Sequence, residues 1–171
     1  EAREKFPALP SGVRRHLIGH MQRNKAKFAV ELFRVIHSVD SRELAQELRR
    51  QVAGHSGAPP LDVLVQVNLS GEATKFGCAP SETSELAGVV AAMPGLRLRG
   101  LMTIPPPADH PEQARPYFRR LRHMRDLLGN TMKVHLELSM GMSYDFEVAI
   151  EEGADIIRVG TAIFGARPAT P

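Results

Sequence analysis

Two short stretches late in the chain carry the residues best suited to chemistry. One is Leu138-Ser139-Met140-Gly141-Met142-Ser143. The other is Ile157-Arg158-Val159-Gly160-Thr161-Ala162-Ile163-Phe164-Gly165. Each passes from apolar residues into a small, hydroxyl-bearing turn that contains glycine, and each turn opens a segment of helical character. Backbone N–H groups and hydroxyls would then gather at two neighbouring helix starts, which is what a phosphate group requires. Taken singly, neither turn is specific. A Gly-Thr pair commonly serves as a plain strand-to-helix turn, and Met140 and Met142 suit a core. The signal comes from two such turns in consecutive units, where they would lie side by side.

Arg158 is the most pointed single residue. Alternation along 156–159 puts Ile156 and Arg158 on one face of a strand and Ile157 and Val159 on the other. A guanidinium at the end of a buried strand needs a partner, because an unpaired buried charge is very costly. That partner is either a ligand or an internal carboxylate such as Glu137. His16, His20 and His37 fall at or near strand ends and lack the paired helical spacing of a zinc site, so satisfied core or rim histidines are expected and no metal. Cys78 stands in a loop with no histidine nearby in sequence, a poor setting for a nucleophile. Lys75, in the polar loop 71–75, could close over an anion, although a solvated loop lysine is the commoner role.

The elements that must position these residues alternate strand with helix. Strands are expected over 16–19, 35–39, 61–68, 96–103, 134–138 and 155–159. Helices are expected over about 24–33, from Asp40 to about 52, over 81–93, over a long segment after Pro105-Pro106-Pro107, and from Ser143 to Gly153. Asp40 with Glu43 suggests a capping box, and Ser143 an N-cap backed by Asp145 and Glu147. In the long helix, Phe118, Leu121, Met124, Leu127 and Leu128 recur at helical spacing, and Pro116 falls in its first turns. This alternation predicts an α/β fold of about six βα units, with a parallel sheet covered on both faces, in a single domain over 1–171. In parallel barrels the loops after the last two strands are the usual phosphate site.

Composition narrows the function classes. At 171 residues the chain can bury a real core but falls short of the roughly 250 residues of a complete eight-stranded α/β barrel. A formal net charge of +3 is too small to argue for nucleic acid. One cysteine excludes a disulfide framework or thiolate cluster, which suits a reducing, cytoplasmic setting. No apolar run approaches the roughly 20 residues of a membrane span. Residues 1–5 lack the apolar core of a signal peptide and resemble the middle of a helix.

The sequence also resembles a known family, the pyridoxal 5′-phosphate (PLP) homeostasis proteins. The resemblance is carried by 16–25, His37-Ser38-Val39-Asp40-Ser41, Val65-Gln66-Val67-Asn68 with Glu72, Lys75 and Gly77, and Gly100-Leu101-Met102-Thr103-Ile104-Pro105. It continues through 138–143, Asp145-Phe146 and 158–165, in family order and over nearly the whole chain. It implies a (β/α)8 TIM barrel of the alanine racemase N-terminal-domain type with PLP at its C-terminal face. It further implies that Ser143, Gly160 and Thr161 hold the phosphate, that Arg158 faces the pyridine nitrogen, and that Met142 lines the pocket. An arginine there disfavours protonation of that nitrogen and weakens the ring as an electron sink.

Two departures from the family pattern stand out. Members hold the cofactor's aldehyde on a lysine that ends the first barrel strand. Here Lys5, Lys25, Lys27, Lys75 and Lys133 are the lysines, and none follows an apolar strand in that manner. The chain therefore reads as an incomplete barrel that begins after the second strand. Arg15 also replaces an aromatic that often precedes the histidine of the first matching strand. The resemblance implies buffering and delivery of PLP without turnover, by a barrel that is monomeric when complete and in transient contact with PLP-dependent apoenzymes. The alternative is a racemase-like enzyme, which needs an acid–base group on the opposite face of the cofactor; Tyr117 and Tyr144 are the two tyrosines. A barrel for another phosphorylated metabolite is a third reading.

Overall fold

The computed structural model describes residues 6–166, apart from 11, 56, 58 and 73. Six parallel strands form one sheet in strictly sequential order: β1 (His16–Leu17), β2 (Val35–Val39), β3 (Leu61–Gln66), β4 (Leu96–Met102), β5 (Glu137–Met142) and β6 (Ile156–Arg158). The sheet curls into a half-barrel with the connecting helices outside it. Those helices are α1 (Ala26–Leu32), α2 (Arg42–Ala53), α3 (Thr83–Ala91), α4 (Arg115–Met132), α5 (Phe146–Glu151) and α6 (Thr161–Phe164). The residues of 1–5, Lys5 among them, lie outside the described residues.

Burial follows from the parallel topology. Every residue of β2 and β3 is buried, as expected of strands covered on both faces. On the outer face Ile36, Val63, Val65, Leu101, Leu138 and Met140 pack with Leu44, Leu48, Leu86, Val90, Phe118 and Leu121 from the helices. The inner face is different. Val35, Leu64 and Met102 make a small separate apolar cluster there, and polar side chains fill much of the remainder. Toward the N-terminal ends of the strands, buried Asp62 pairs with Arg14, with Arg97 at 2.5 Å and with Arg99 at 3.7 Å, and Arg99 also pairs with Glu137. Strands β4 and β5 approach closely because position 100 has no side chain; a Cβ on Gly100 would stand 1.8 Å from the Glu137 carbonyl oxygen.

Several boundaries differ from the expectations, and each has a local cause. The sequence pattern predicts a strand over 134–138, whereas β5 spans Glu137–Met142. Residues 139–142 are thus not a turn, and Ser139 and Met140 are fully buried within the strand. Gly141 permits this. It adopts φ +88°, and a Cβ there would meet the Ala149 Cβ at 2.6 Å, so the strand lies directly against α5. Ser143 does not cap α5, which begins at Phe146 behind Asp145. At α2 the cap is Ser41, whose hydroxyl accepts from the Leu44 N–H at 3.4 Å, not Asp40. In α4, Pro116 sits in the first turn as expected, whereas Leu127 faces solvent. Strands β1 and β6 are shorter than expected, and the first helical segment divides into a 3-10 turn (Arg23–Lys25) followed by α1.

Candidate functional site

Strands β5 and β6 lie side by side, with Met142 in register with Arg158. Their C-terminal ends bring the two motif loops together. The Ser143 hydroxyl oxygen accepts the backbone N–H of Gly160 at 3.0 Å and that of Ala162 at 3.3 Å. Those are N–H groups at the start of α6, where intrahelical partners run out. Thr161 opens that helix and is exposed. Ser143, Gly160 and Thr161 therefore form one cluster, built by a serine on one loop and a glycine-threonine turn on the next.

Arg158 points along the inner face. Its Nη1 donates to the Ser139 hydroxyl and its Nη2 to the Thr103 carbonyl, each at 2.9 Å, while its Nε is buried without a partner. The internal carboxylate that the sequence offers it, Glu137, is taken by Arg99. Among the described residues Arg158 makes no ion pair. Burial lowers its pKa to about 10, with Asp145 pulling the other way. An arginine placed in this manner is a cation held by neutral groups.

Behind Arg158 stand His37 and His16, satisfied core and rim histidines as the sequence suggests, and it is their link to Arg158 that sequence reasoning misses. His37 is fully buried, and its Nδ1 lies 2.8 Å from the Ser139 hydroxyl while its Nε2 lies 2.8 Å from Nδ1 of His16. Burial first, then the neighbouring His16 and Arg158, lowers the His37 pKa to about 3. Burial and Arg14 also lower His16, against the pull of Glu137 and Asp62. The available signal is a histidine inside the buried strand Val35-Ile36-His37-Ser38-Val39. Nothing in the local pattern points to its partner 102 positions away.

Met142 stands apart from the other candidate residues. Its side chain is 41% exposed and lines a cavity of about 590 Å³ with Lys75, Phe76, Ile104, Tyr144 and Asp145. Neither Ser143, Arg158, Gly160 nor Thr161 lines that cavity. Lys75 pairs with Glu72 at 3.4 Å. Lys25, Lys27 and Lys133 are exposed, and none of the described lysines lies in a strand. The Tyr144 hydroxyl donates to the Asp109 carbonyl. Among the described residues, no group of three or more His, Cys, Asp or Glu is placed to hold a metal, and no helix is long and apolar enough to cross a membrane.

Comparison with known proteins places the chain in a family. The family model of the alanine racemase N-terminal domain matches residues 1–168. Pyridoxal phosphate homeostasis proteins are similar to this chain. That of Aquifex aeolicus is 47% identical over 153 residues, covering 89% of the chain and 66% of the relative. That of Schizosaccharomyces pombe is 37% identical over 171 residues, covering 96% and 70%. PipY of Synechococcus elongatus, solved with PLP bound, superposes with a TM-score of 0.84 at 34% identity, covering 95% of the chain and 75% of PipY. An alanine racemase of Clostridium difficile, 19% identical with a TM-score of 0.71 over 98% of the chain and 43% of the enzyme, shares the fold. The chain spans about two thirds of the length of the curated relatives it matches. On these grounds the chain belongs to the pyridoxal phosphate homeostasis proteins, within the alanine racemase N-terminal domain family.

Proposed function

We propose that this chain provides the phosphate- and ring-facing wall of a PLP-binding barrel whose role is to hold the cofactor and deliver it to PLP-dependent apoenzymes. The observation that carries this reading is the Ser143–Gly160–Ala162 cluster beside Arg158 at the ends of β5 and β6. The donor set fits the group. Ser143, Gly160 and Thr161 would hold the phosphate with a hydroxyl and backbone N–H groups, and Arg158, whose Nε has no partner, would face the ring nitrogen. Met142 would border the site from the adjoining cavity. When bound, PLP supplies an electrophilic aldehyde and an electron-withdrawing ring. Arg158 keeps a positive charge where the ring nitrogen would otherwise gain a proton, which favours a carrier over a strong electron sink.

Release without turnover, in a cytoplasmic setting and by a monomer making transient contacts, completes the reading. The relatives' name, homeostasis protein, supports holding and release without turnover, and a buried Cys78 suits a reducing compartment. The test is titration of the 171-residue chain, and of a version extended to the relatives' length, with PLP. Absorbance and mass after borohydride reduction report the outcome. Saturable binding by either version supports the proposal, and its absence from both overturns it. Equal competition by simple sugar phosphates would favour a general phosphate barrel instead. Amino-acid racemisation lost on removing the cofactor would favour an enzyme.

A further inference from the structure

Arg158 is a half-buried cation, its Nε fully enclosed, fixed by two neutral acceptors, and one of them is the end of a longer chain. Ser139 joins Arg158 to His37, and His37 joins Ser139 to His16. Counting protons sets the direction of every link. A guanidinium only donates, so Ser139 Oγ accepts from Arg158. Ser139 is fully buried, and among the described residues the further side-chain partner of its hydroxyl is His37 Nδ1. A proton on that nitrogen would leave the serine hydroxyl without an acceptor in a buried site, a costly outcome. His37 therefore carries its proton on Nε2 and donates it to His16 Nδ1, and His16 presents its own Nε2 proton at the exposed end.

The same chain excludes a charge on His37. A second proton would sit on Nδ1, against the Ser139 hydroxyl, and would place a cation next to Arg158. The charged or titratable groups acting on His37 are His16 and Arg158, and those acting on His16 are Arg14, Glu137 and Asp62. A carboxylate in place of this chain would also hold the guanidinium, but it would cancel its charge.

We infer that His37 and His16 are positioning residues for Arg158: a one-way hydrogen-bond chain through Ser139 fixes the guanidinium on the inner face while leaving its charge to act on a bound ligand. This rests on the reading of the inner face as the binding site, but its test needs no PLP. If PLP fails to bind while the chain behaves as described, the proposed function falls and the hydrogen-bond chain stands.

The experiment is NMR of the 171-residue chain labelled with nitrogen-15 at histidine and arginine. The expected result is His37 with a protonated Nε2 and a bare Nδ1, unchanged across neutral and mildly acidic pH, together with a slowly exchanging Arg158 Nε–H. His37→Gln and the exposed-end variant His16→Gln should each shift the Arg158 signal, and His37→Gln should speed its exchange at least about tenfold. Ser139→Ala should do the same and Ser139→Thr should restore it. An Nδ1-protonated or normally titrating His37 overturns the inference, as does an Arg158 signal unmoved in folded His37→Gln and His16→Gln. Should His37→Gln fail to fold, the His37 tautomer in the unsubstituted chain and the His16→Gln spectrum decide the matter.

Discussion

Ser143 and Gly160, on loops after neighbouring strands, are joined by a 3.0 Å hydrogen bond in which the glycine N–H donates to the serine hydroxyl. The bond ties the two motif loops into one cluster. Ser143→Ala should therefore weaken PLP binding by about 10- to 100-fold, the worth of one hydrogen bond to a charged group. The loss in folding stability should stay near about 1 kcal/mol, because the glycine is exposed and water can replace the hydroxyl. Isothermal titration together with urea denaturation separates the two effects.

Arg158→Gln should part binding from folding in the same way. The half-buried cation has no ion pair among the described residues, so its removal relieves a desolvation cost while loosening the bonds to Ser139 and Thr103. Stability is expected to change by less than about 1 kcal/mol, with PLP affinity lower by about tenfold or more. The comparison requires a titration beside a thermal melt.

Acid should destabilise the fold through His37. Its folded pKa is lowered to about 3 from an ordinary 6.5, so between those values the unfolded chain binds the proton and the folded chain does not. Its contribution to stability is complete above pH 6.5 and drains away as the pH falls toward about 3, up to about 5 kcal/mol. Urea midpoints from about pH 8 to about pH 4 should fall on the acid side, and His37→Gln should flatten that fall. An equally steep fall in the variant would assign it to other groups.

Two glycines should respond differently to the same change. Gly141→Ala places a Cβ 2.6 Å from the Ala149 Cβ at a left-handed backbone position, which should cost about 2–4 kcal/mol. At Gly160 an added Cβ would meet nothing within 4 Å and φ is −121°, so Gly160→Ala should stay within about 0.5 kcal/mol. Urea denaturation of the pair checks both.

Much of this architecture can be read from residue order, and the exceptions share a cause. The β-branched run of β3 and the helix carrying Phe118 and Leu121 announce themselves through local periodicity. Strand β5 does not, because Ser139 and Gly141 carry turn character in isolation. Gly141 is there for a close approach to Ala149, and Ser139 to meet Arg158 and His37. Val134, which looks like strand, lies exposed after Lys133 has ended α4 in a left-handed conformation. At the site, Ser143, Gly160 and Thr161 are visible as a paired motif. The link from the histidines to Arg158 is not, because cross-strand neighbours are set by the curl of the sheet rather than by spacing along the chain.

The sequential strand order bears on how the molecule is made. Each strand pairs with the one before it, so the sheet can be laid down in the order of translation, one βα unit onto the last. The bond between His37 and Ser139 spans 102 positions and cannot form until β5 has emerged. Growth along the sheet can thus proceed from near-neighbour contacts, while the polar chain across its hollow joins β2 to β5 only once both are in place.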